Sequence, residues 1–376
     1  MMKVAINGYG RIGRLAHRII LDNYQDQIQI SAINAGDSTD VKGNMYLLKY
    51  DSMYGPILNH KIGSEEPSSP ELKDLRGYIV IDNAKIPVFS QKDPSLLPWK
   101  DLSIDVVIES TGSFRKSEDL QKHITAGAKG VVLSAPPKDP SPADAGSLQQ
   151  GSLQQSSGQA GQTIPTYILS VNSQNYKGEN IISNASCTTN CIAPVAKIML
   201  DNFGVEKAMM TTIHGYTSDQ RLQDGGHKDY RRQRAAAENI IPTSTGATKA
   251  TAKTLPSLTG IFTGLAIRVP VAVGSLADFT FVLKRNTTKE EINEIFKKEA
   301  ANPNYQGILE VTDEPLVSSD IIGNPYSSIV DLSLTQVVGG NLVKVIAWYD
   351  NEYGYANRLV EEVIMVGSRI SNLPNS

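Results

Sequence analysis

The chain of 376 residues is 40% hydrophobic, enough for a large buried core and about two domains. Its 36 basic and 39 acidic residues leave a formal charge of -3, which excludes a broad electropositive face for nucleic acid or an anionic membrane. Two cysteines exclude a disulfide framework, and no run approaches the ~18 apolar residues of a membrane span, so a cytoplasmic protein in a reducing compartment is expected.

In chain order, short β-branched runs alternate with helical stretches: KVAI at 3–6, IQISAI at 28–33, YIVI at 78–81, IDVVIES at 104–110 and GVVLS at 130–134. That alternation predicts an α/β domain on a largely parallel sheet. Over about 137–165 the composition turns to Pro, Ser, Gln, Gly and Ala, and GSLQQ occurs twice in succession; such a segment buries too little apolar area to order itself, and a surface insertion is expected. Next, CIAPVAKIMLDNFG predicts a helix running to Gly204. The runs AMMTTI, IFTGLAIRV, ADFTFVLK and KVIAWYD then follow without intervening helices of similar number, which predicts a second domain with a largely antiparallel sheet. Thr288 and Glu291 suggest a capping box, and a last amphipathic helix is expected after DNEYGY.

NGYGRIGR at 7–14 supplies Gly8, Gly10 and Gly13 between a strand and a helix. That spacing gives a tight turn, close backbone approach to a pyrophosphate and close helix packing, so a dinucleotide site is expected. The acid that normally meets the adenosine ribose is missing at the end of the second strand, where Ala35 follows Asn34 and the nearest acids are Asp37 and Asp40. Without a carboxylate there to repel a 2′-phosphate, NAD or NADP can be accepted; NADP is favoured, with Ser38, Thr39 and Lys42 as possible donors.

Both cysteines fall in NASCTTNC. If Cys187 opens a helix, Cys191 lies one turn on, with Cβ atoms about 5–6 Å away, too far for an undistorted disulfide. The five histidines, at 17, 60, 123, 214 and 227, form no local cluster with them, so no metal site is expected. Cys191 reads as a buried apolar residue. Cys187 would sit at the positive end of a helix, where its thiolate fraction should rise, and His214 in TTIHGYT is the candidate base. Spacing alone does not bring the two together.

With these residues stands an ordered set, NGYGRIGR, LLKYDSMYG, ESTGSF, SNASCTTNC, TTIHGYT, HKDYRRQRAAAENIIPTSTGATKA, GLAIRVP and WYDNEYGY, through which nearly the whole chain resembles phosphorylating glyceraldehyde-3-phosphate dehydrogenases. The resemblance implies a Rossmann dinucleotide-binding domain over 1–186 and 351–376, joined to an α+β catalytic domain over 187–350, in a homotetramer. It implies Cys187 as nucleophile, passing through a hemithioacetal and a thioester, and His214 as base, with glyceraldehyde 3-phosphate and inorganic phosphate as substrates in glycolysis or gluconeogenesis. Thr217 and Arg268, supported by Asp219, would hold the substrate phosphate; Ser186, Thr188, Arg232, Thr245 and Gly246 would hold the incoming one. Gly8, Gly10, Arg11, Ile12, Gly13, Ala35, Thr111, Gly112, Ser134, Asn351 and Tyr355 would contact the cofactor. Relatives specific for NAD usually carry Asp at the place of Ala35 and Leu-Pro at that of Gly225 and Gly226, so both departures favour NADP. RVPVAVGSLADF departs from a Pro-Asn-Val-Ser pattern beside Arg268. The alternatives are an erythrose-4-phosphate dehydrogenase, which the retained YT and STG runs disfavour, and a non-catalytic nucleotide- or RNA-binding protein.

Overall fold

The structure, a computed structural model, describes residues 1–38, 40–67, 72–138 and 163–371. Apart from its edges, the expected insertion lies outside the described residues, as does Thr39.

The N-terminal part supplies strands β1 (Met2–Asn7), β2 (Ile28–Asn34), β3 (Tyr50–Asp51), β4 (Gly55–Pro56), β5 (Ile62–Glu65), β6 (Leu75–Ile81), β7 (Ala84–Phe89), β8 (Val106–Glu109), β9 (Gly130–Leu133) and β10 (Ile181–Ser183). Its helices are α1 (Arg11–Ile19), α2 (Val41–Lys49) and α3 (Ser117–Thr125). Eight strands form one sheet in the order β10-β9-β8-β1-β2-β7-β6-β5, while β3 and β4 pair separately. From β10 to β7 every pairing is parallel. The run at 78–81 corrects the parallel expectation: β6 pairs antiparallel with β5 and β7. Only Asp82 and Asn83 separate β6 from β7, and Asp82 takes φ +55°, so the link is a tight hairpin with no room for the crossover a parallel pair requires.

The second sheet contains β11 (Val205–Gly215), β12 (Ile241–Ser244), β13 (Phe262–Val269), β14 (Ser275–Leu283), β15 (Leu309–Thr312), β16 (Ser328–Asp331), β17 (Gln336–Val338) and β18 (Leu342–Tyr349). Its order is β12-β13-β11-β14-β18-β16-β15, with β17 also on β18. All pairings are antiparallel except β11 with β13 and β15 with β16. Strict alternation along β14 buries Ala277, Phe279, Phe281 and Leu283 in a core shared with α4 (Cys187–Phe203), α5 (Ala247–Thr254) and α6 (Lys289–Ala300). Gly204, at φ +67°, ends α4 as the sequence predicts. At α6 only half of the capping box forms. Thr288 accepts from the Glu291 N–H at 3.2 Å, but the Glu291 carboxylate turns to Arg285 and Thr287.

The last helix, α7 (Tyr353–Ser371), starts within DNEYGY and lays Leu359, Val360, Val363 and Val366 into the core of the first sheet, against Val4, Leu15 and Ile19. On the same helix Glu362 is fully buried, with Oε2 lacking a partner among the described residues. Burial pushes its carboxyl well above the ordinary range. A raised native pKa means that the folded state holds this proton after the unfolded chain has released it. Stability from this group is therefore intact below about pH 4.3 and is lost as pH rises toward the native value. Glu362→Gln, which cannot ionise, should gain in Tm relative to the parent as pH increases from 5 to 8. Thermal melts across that range check this; a constant difference would contradict it.

Candidate active site

At the carboxyl end of β10 the chain turns through Asn184, Ala185 and Ser186, with Ala185 in the left-handed region at φ +52°. Ser186 caps α4, its hydroxyl accepting from the Thr189 N–H at 3.2 Å, and this makes Cys187 the first residue of the helix. His214 stands near the end of β11. The parallel register of β11 and β13 sets it beside Arg268, across 54 residues of chain. Cys187 Sγ lies 3.5 Å from His214 Nε2. On the far side of the ring, Nδ1 is 2.7 Å from the Gly215 carbonyl and 2.6 Å from an Arg268 nitrogen, which also donates to that carbonyl at 2.9 Å.

Electrostatics at the pair correct one expectation. Cys187 is only partly exposed, and burial pushes its thiol up; Arg268 and hydrogen bonds from Thr188 pull it back only in part. Desolvation thus outweighs the helix end, and the thiol is protonated at neutral pH. His214 is buried too, and burial together with Arg268 lowers its pKa to about 3. Both shifts disfavour the charged forms, so burial holds the pair toward a neutral thiol facing a neutral imidazole. Cys191 is fully buried, its thiol 3.8 Å from Ser328 Oγ, and both cysteines are free.

At the first sheet, the glycine loop suits a bound pyrophosphate. Gly8 has φ +96°, and a Cβ there would come within 2.6 Å of the Ser110 backbone; a Cβ on Gly10 would meet only open space. Gly10 offers α1 no side-chain cap, so the first N–H groups of the helix are available to an anion.

Two family comparisons bear on this pair of sheets. Residues 2–117 match the NAD binding domain of glyceraldehyde 3-phosphate dehydrogenase and residues 186–351 its C-terminal domain. A protein named glyceraldehyde-3-phosphate dehydrogenase 2 from Streptomyces avermitilis is 45% identical over 98% of this chain and 99% of its own length. Another of that name from Synechocystis is 46% identical over 96% and 97% of the respective chains. The chain belongs to the glyceraldehyde-3-phosphate dehydrogenase family.

The first sheet is thus the family's Rossmann domain and binds a nicotinamide dinucleotide, and the second belongs to its catalytic domain. Around Cys187 the fold gathers some of the expected residues and engages others elsewhere. Arg232 ion-pairs with Asp219 and donates to Thr243 Oγ1 at 3.0 Å, and the Asp219 charge also reaches Arg268. The Thr188 hydroxyl is buried 3.0 Å from that of Tyr349, and the Ser186 hydroxyl is held by the helix cap and by Thr189 Oγ1 at 2.8 Å. Thr217 receives a 2.9 Å bond from the Gln220 N–H at its carbonyl. Thr245 Oγ1 accepts from the Ala247 N–H at 3.2 Å, and Gly246 opens α5 with no atom near a would-be Cβ.

On the cofactor side, the Arg11 guanidinium is bound by Glu352 at 2.5 Å and Asp51 at 3.1 Å, so its backbone N–H is the group left to donate. Ile12 packs on the first core, and a Cβ on Gly13 would collide with the Gly8 carbonyl. Thr111 N–H and Oγ1 both reach the Glu109 carboxylate, and Gly112 follows at φ +71°. The Ser134 N–H bonds the Glu109 carbonyl at 2.9 Å, and the Tyr355 hydroxyl donates to the Ala185 carbonyl at 3.2 Å. Asn351 Oδ1 accepts from Gly274 N–H at 3.2 Å and Ser275 Oγ at 2.9 Å, leaving its amide nitrogen to donate. The departing segment beside Arg268 therefore seats Asn351.

Tyr349 went unassigned by the sequence. Its hydroxyl bridges Thr188 at 3.0 Å and Thr212 at 2.8 Å, and its ring packs edge-on against His214 at a 6.0 Å centroid separation. The alternation of KVIAWYD could have placed it on the inner face but not beside the histidine.

Proposed function

We propose that this chain oxidises glyceraldehyde 3-phosphate with inorganic phosphate to 1,3-bisphosphoglycerate, reversibly, using NAD or NADP. The observation that carries this reading is the 3.5 Å approach of Cys187 Sγ to His214 Nε2 at a helix N-terminus. In the tautomer that catalysis requires, the Nδ1 proton goes to the Gly215 carbonyl and Nε2 presents its lone pair to the thiol; Arg268, which can only donate, then serves that carbonyl and the substrate rather than Nδ1. As the sulfur adds to the aldehyde carbon, His214 takes the thiol proton and passes it to the new alkoxide, which completes the hemithioacetal and leaves the imidazole neutral again. A bound nicotinamide would supply the acceptor for the hydride that leaves that carbon. His214 removes the hydroxyl proton in the same step, leaving an acyl thioester on Cys187. Attack by phosphate on the acyl carbon breaks the C–S bond and returns the sulfur as thiolate, which takes back a proton from His214. The Cys187 backbone N–H is an oxyanion donor here.

Arg268 and Thr217 bind the substrate phosphate in this reading; Arg232 with Thr245, Gly246 and the Ser186–Thr188 turn binds the incoming one, as guanidinium groups and short donors suit tetrahedral anions. Domain limits of 1–186 with 351–376, and 187–350, are supported by the packing of α7 on the first core. A homotetramer is supported by Met209, Ile240 and Leu265, exposed by 67%, 71% and 44% on or beside β11, β12 and β13. Sedimentation at a four-chain mass is the expected result.

NADP use is supported at the end of β2. Ala35 carries no charge, Asp40 is used as the cap of α2, accepting from Gly43 N–H at 2.8 Å, and Asp37 pairs with Lys92 at 3.0 Å. The strand end itself therefore carries no acid, Asp40 is occupied as a cap, and the exposed Asp37 is accompanied by a cation, Lys92.

Steady-state assays with glyceraldehyde 3-phosphate and erythrose 4-phosphate, each with and without phosphate, test the reaction; turnover with the triose that requires phosphate is expected. His214→Asn should lower kcat by about 10²- to 10⁴-fold with the cofactor KM little changed. A variant retaining full kcat would remove His214 from the mechanism.

A further inference from the structure

Below the cofactor cleft lies a buried polar chain that the steps above do not use. The strand order of the first sheet reverses between β1 and β8, which makes a crevice at the carboxyl ends of those strands. Glu109 closes β8 and is fully buried, as are Asn7 at the end of β1, His123 on α3, and Trp99. Oε1 of Glu109 accepts from Thr111 N–H at 2.9 Å and from Thr111 Oγ1 at 2.5 Å. Oε2 accepts from Asn7 Nδ2 at 2.5 Å and lies 3.1 Å from His123 Nε2. The indole of Trp99 can only donate, and it donates to His123 Nδ1 at 3.0 Å, so the ring proton sits on Nε2 and points at Glu109. From Asn7 the chain continues to Asn34, whose Nδ2 donates to Asn7 Oδ1 at 2.6 Å.

Three strand ends are thereby tied together, and each precedes a turn assigned above to the dinucleotide: Gly8, Ala35, and Thr111–Gly112. Two of those turns touch through backbone. The Ser110 hydroxyl donates to the Gly8 carbonyl at 2.7 Å, and the missing Gly8 Cβ would overlap Ser110 and Thr111, so a shift of Thr111 displaces the glycine loop. Apolar side chains would fill the same interior with less desolvation cost, so stability alone does not account for a buried carboxylate with four donors.

We infer that Glu109, oriented by His123 and Trp99, is a positioning residue of the dinucleotide site that sets the spacing between the glycine loop and the Thr111–Gly112 turn. The inference rests on the dinucleotide reading. In Glu109→Gln the amide N–H must face a donor, either Thr111 N–H, which releases the turn, or His123 Nε2–H, which removes the contact that orients residue 109. Calorimetry on the full-length protein should give Kd values for NAD and NADP weakened at least about tenfold. At saturating cofactor the KM for the aldehyde should stay within about twofold, and the rate of Cys187 alkylation by iodoacetamide without cofactor should not move. His123→Gln can still accept from Trp99 and donate to Glu109, and should bind within about threefold of the parent, whereas His123→Leu should resemble Glu109→Gln. Trp99→Phe, which keeps a ring and removes the N–H, supplies a gentler variant should the others fold poorly, and should also weaken both Kd values.

Parental affinity in Glu109→Gln and His123→Leu would overturn the inference, as would equal losses in cofactor affinity, aldehyde KM and alkylation rate. Failure of the parent to bind either dinucleotide would instead overturn the reading on which it rests.

Discussion

Cys187→Ser is expected to lower turnover of glyceraldehyde 3-phosphate by at least about 10⁴-fold while leaving dinucleotide affinity within about twofold. A serine hydroxyl at the start of α4 has the same neighbours, but the imidazole 3.5 Å away has a pKa near 3 and is too weak a base to create an alkoxide. The thiol, though raised by burial, is several orders of magnitude more acidic, and its thioester is far more open to phosphorolysis than an ester. Cys191→Ala is the matched control. That side chain is fully buried one turn further on, so its loss should reduce stability by about 1–2 kcal/mol and leave kcat nearly unchanged. Rapid-quench detection of the acyl-enzyme with steady-state rates checks both; comparable losses in the two variants would remove the special role of Cys187.

Ala35→Asp is expected to move cofactor preference toward NAD by on the order of 10²-fold in the ratio of kcat/KM values. Two effects act in one direction, repulsion of the 2′-phosphate and new hydrogen bonds to the ribose hydroxyls. The Ala35 N–H bonds the Phe89 carbonyl at 2.9 Å, so the backbone at the substituted position is already fixed at the strand end. Lys92→Ala should lower NADP use by a smaller factor, because the exposed pair with Asp37 is weakly held and Lys92 can turn to a phosphate. An unchanged ratio in Ala35→Asp would mean that preference is set elsewhere.

Much of this architecture was legible before any coordinates, for local reasons. The glycine spacing, the strand before it and the helix after it describe one compact turn, and Gly8 at φ +96° is what such a turn requires. NASC before an apolar helical run placed Cys187 at a helix start, where Ser186 does cap α4. What failed was also physical. The parallel sheet was extended too far because periodicity marks a strand without naming its partner, and the two-residue link after β6 settled the direction. The partner of the Arg11 side chain, Glu352, was beyond any local pattern because it lies 341 residues away.

By itself the sequence determined the elements, the glycine turn, the helix-capped cysteine and the missing acid after Asn34, since each depends on residues within a few positions of one another. Only the tertiary structure decided that His214 meets Cys187, that Arg268 stands behind it, and that burial leaves the pair neutral. Those outcomes follow from the parallel register of β11 with β13 and from the packing of α4 against Tyr349, which bring together groups far apart in the chain and exclude the water that would otherwise set their charge.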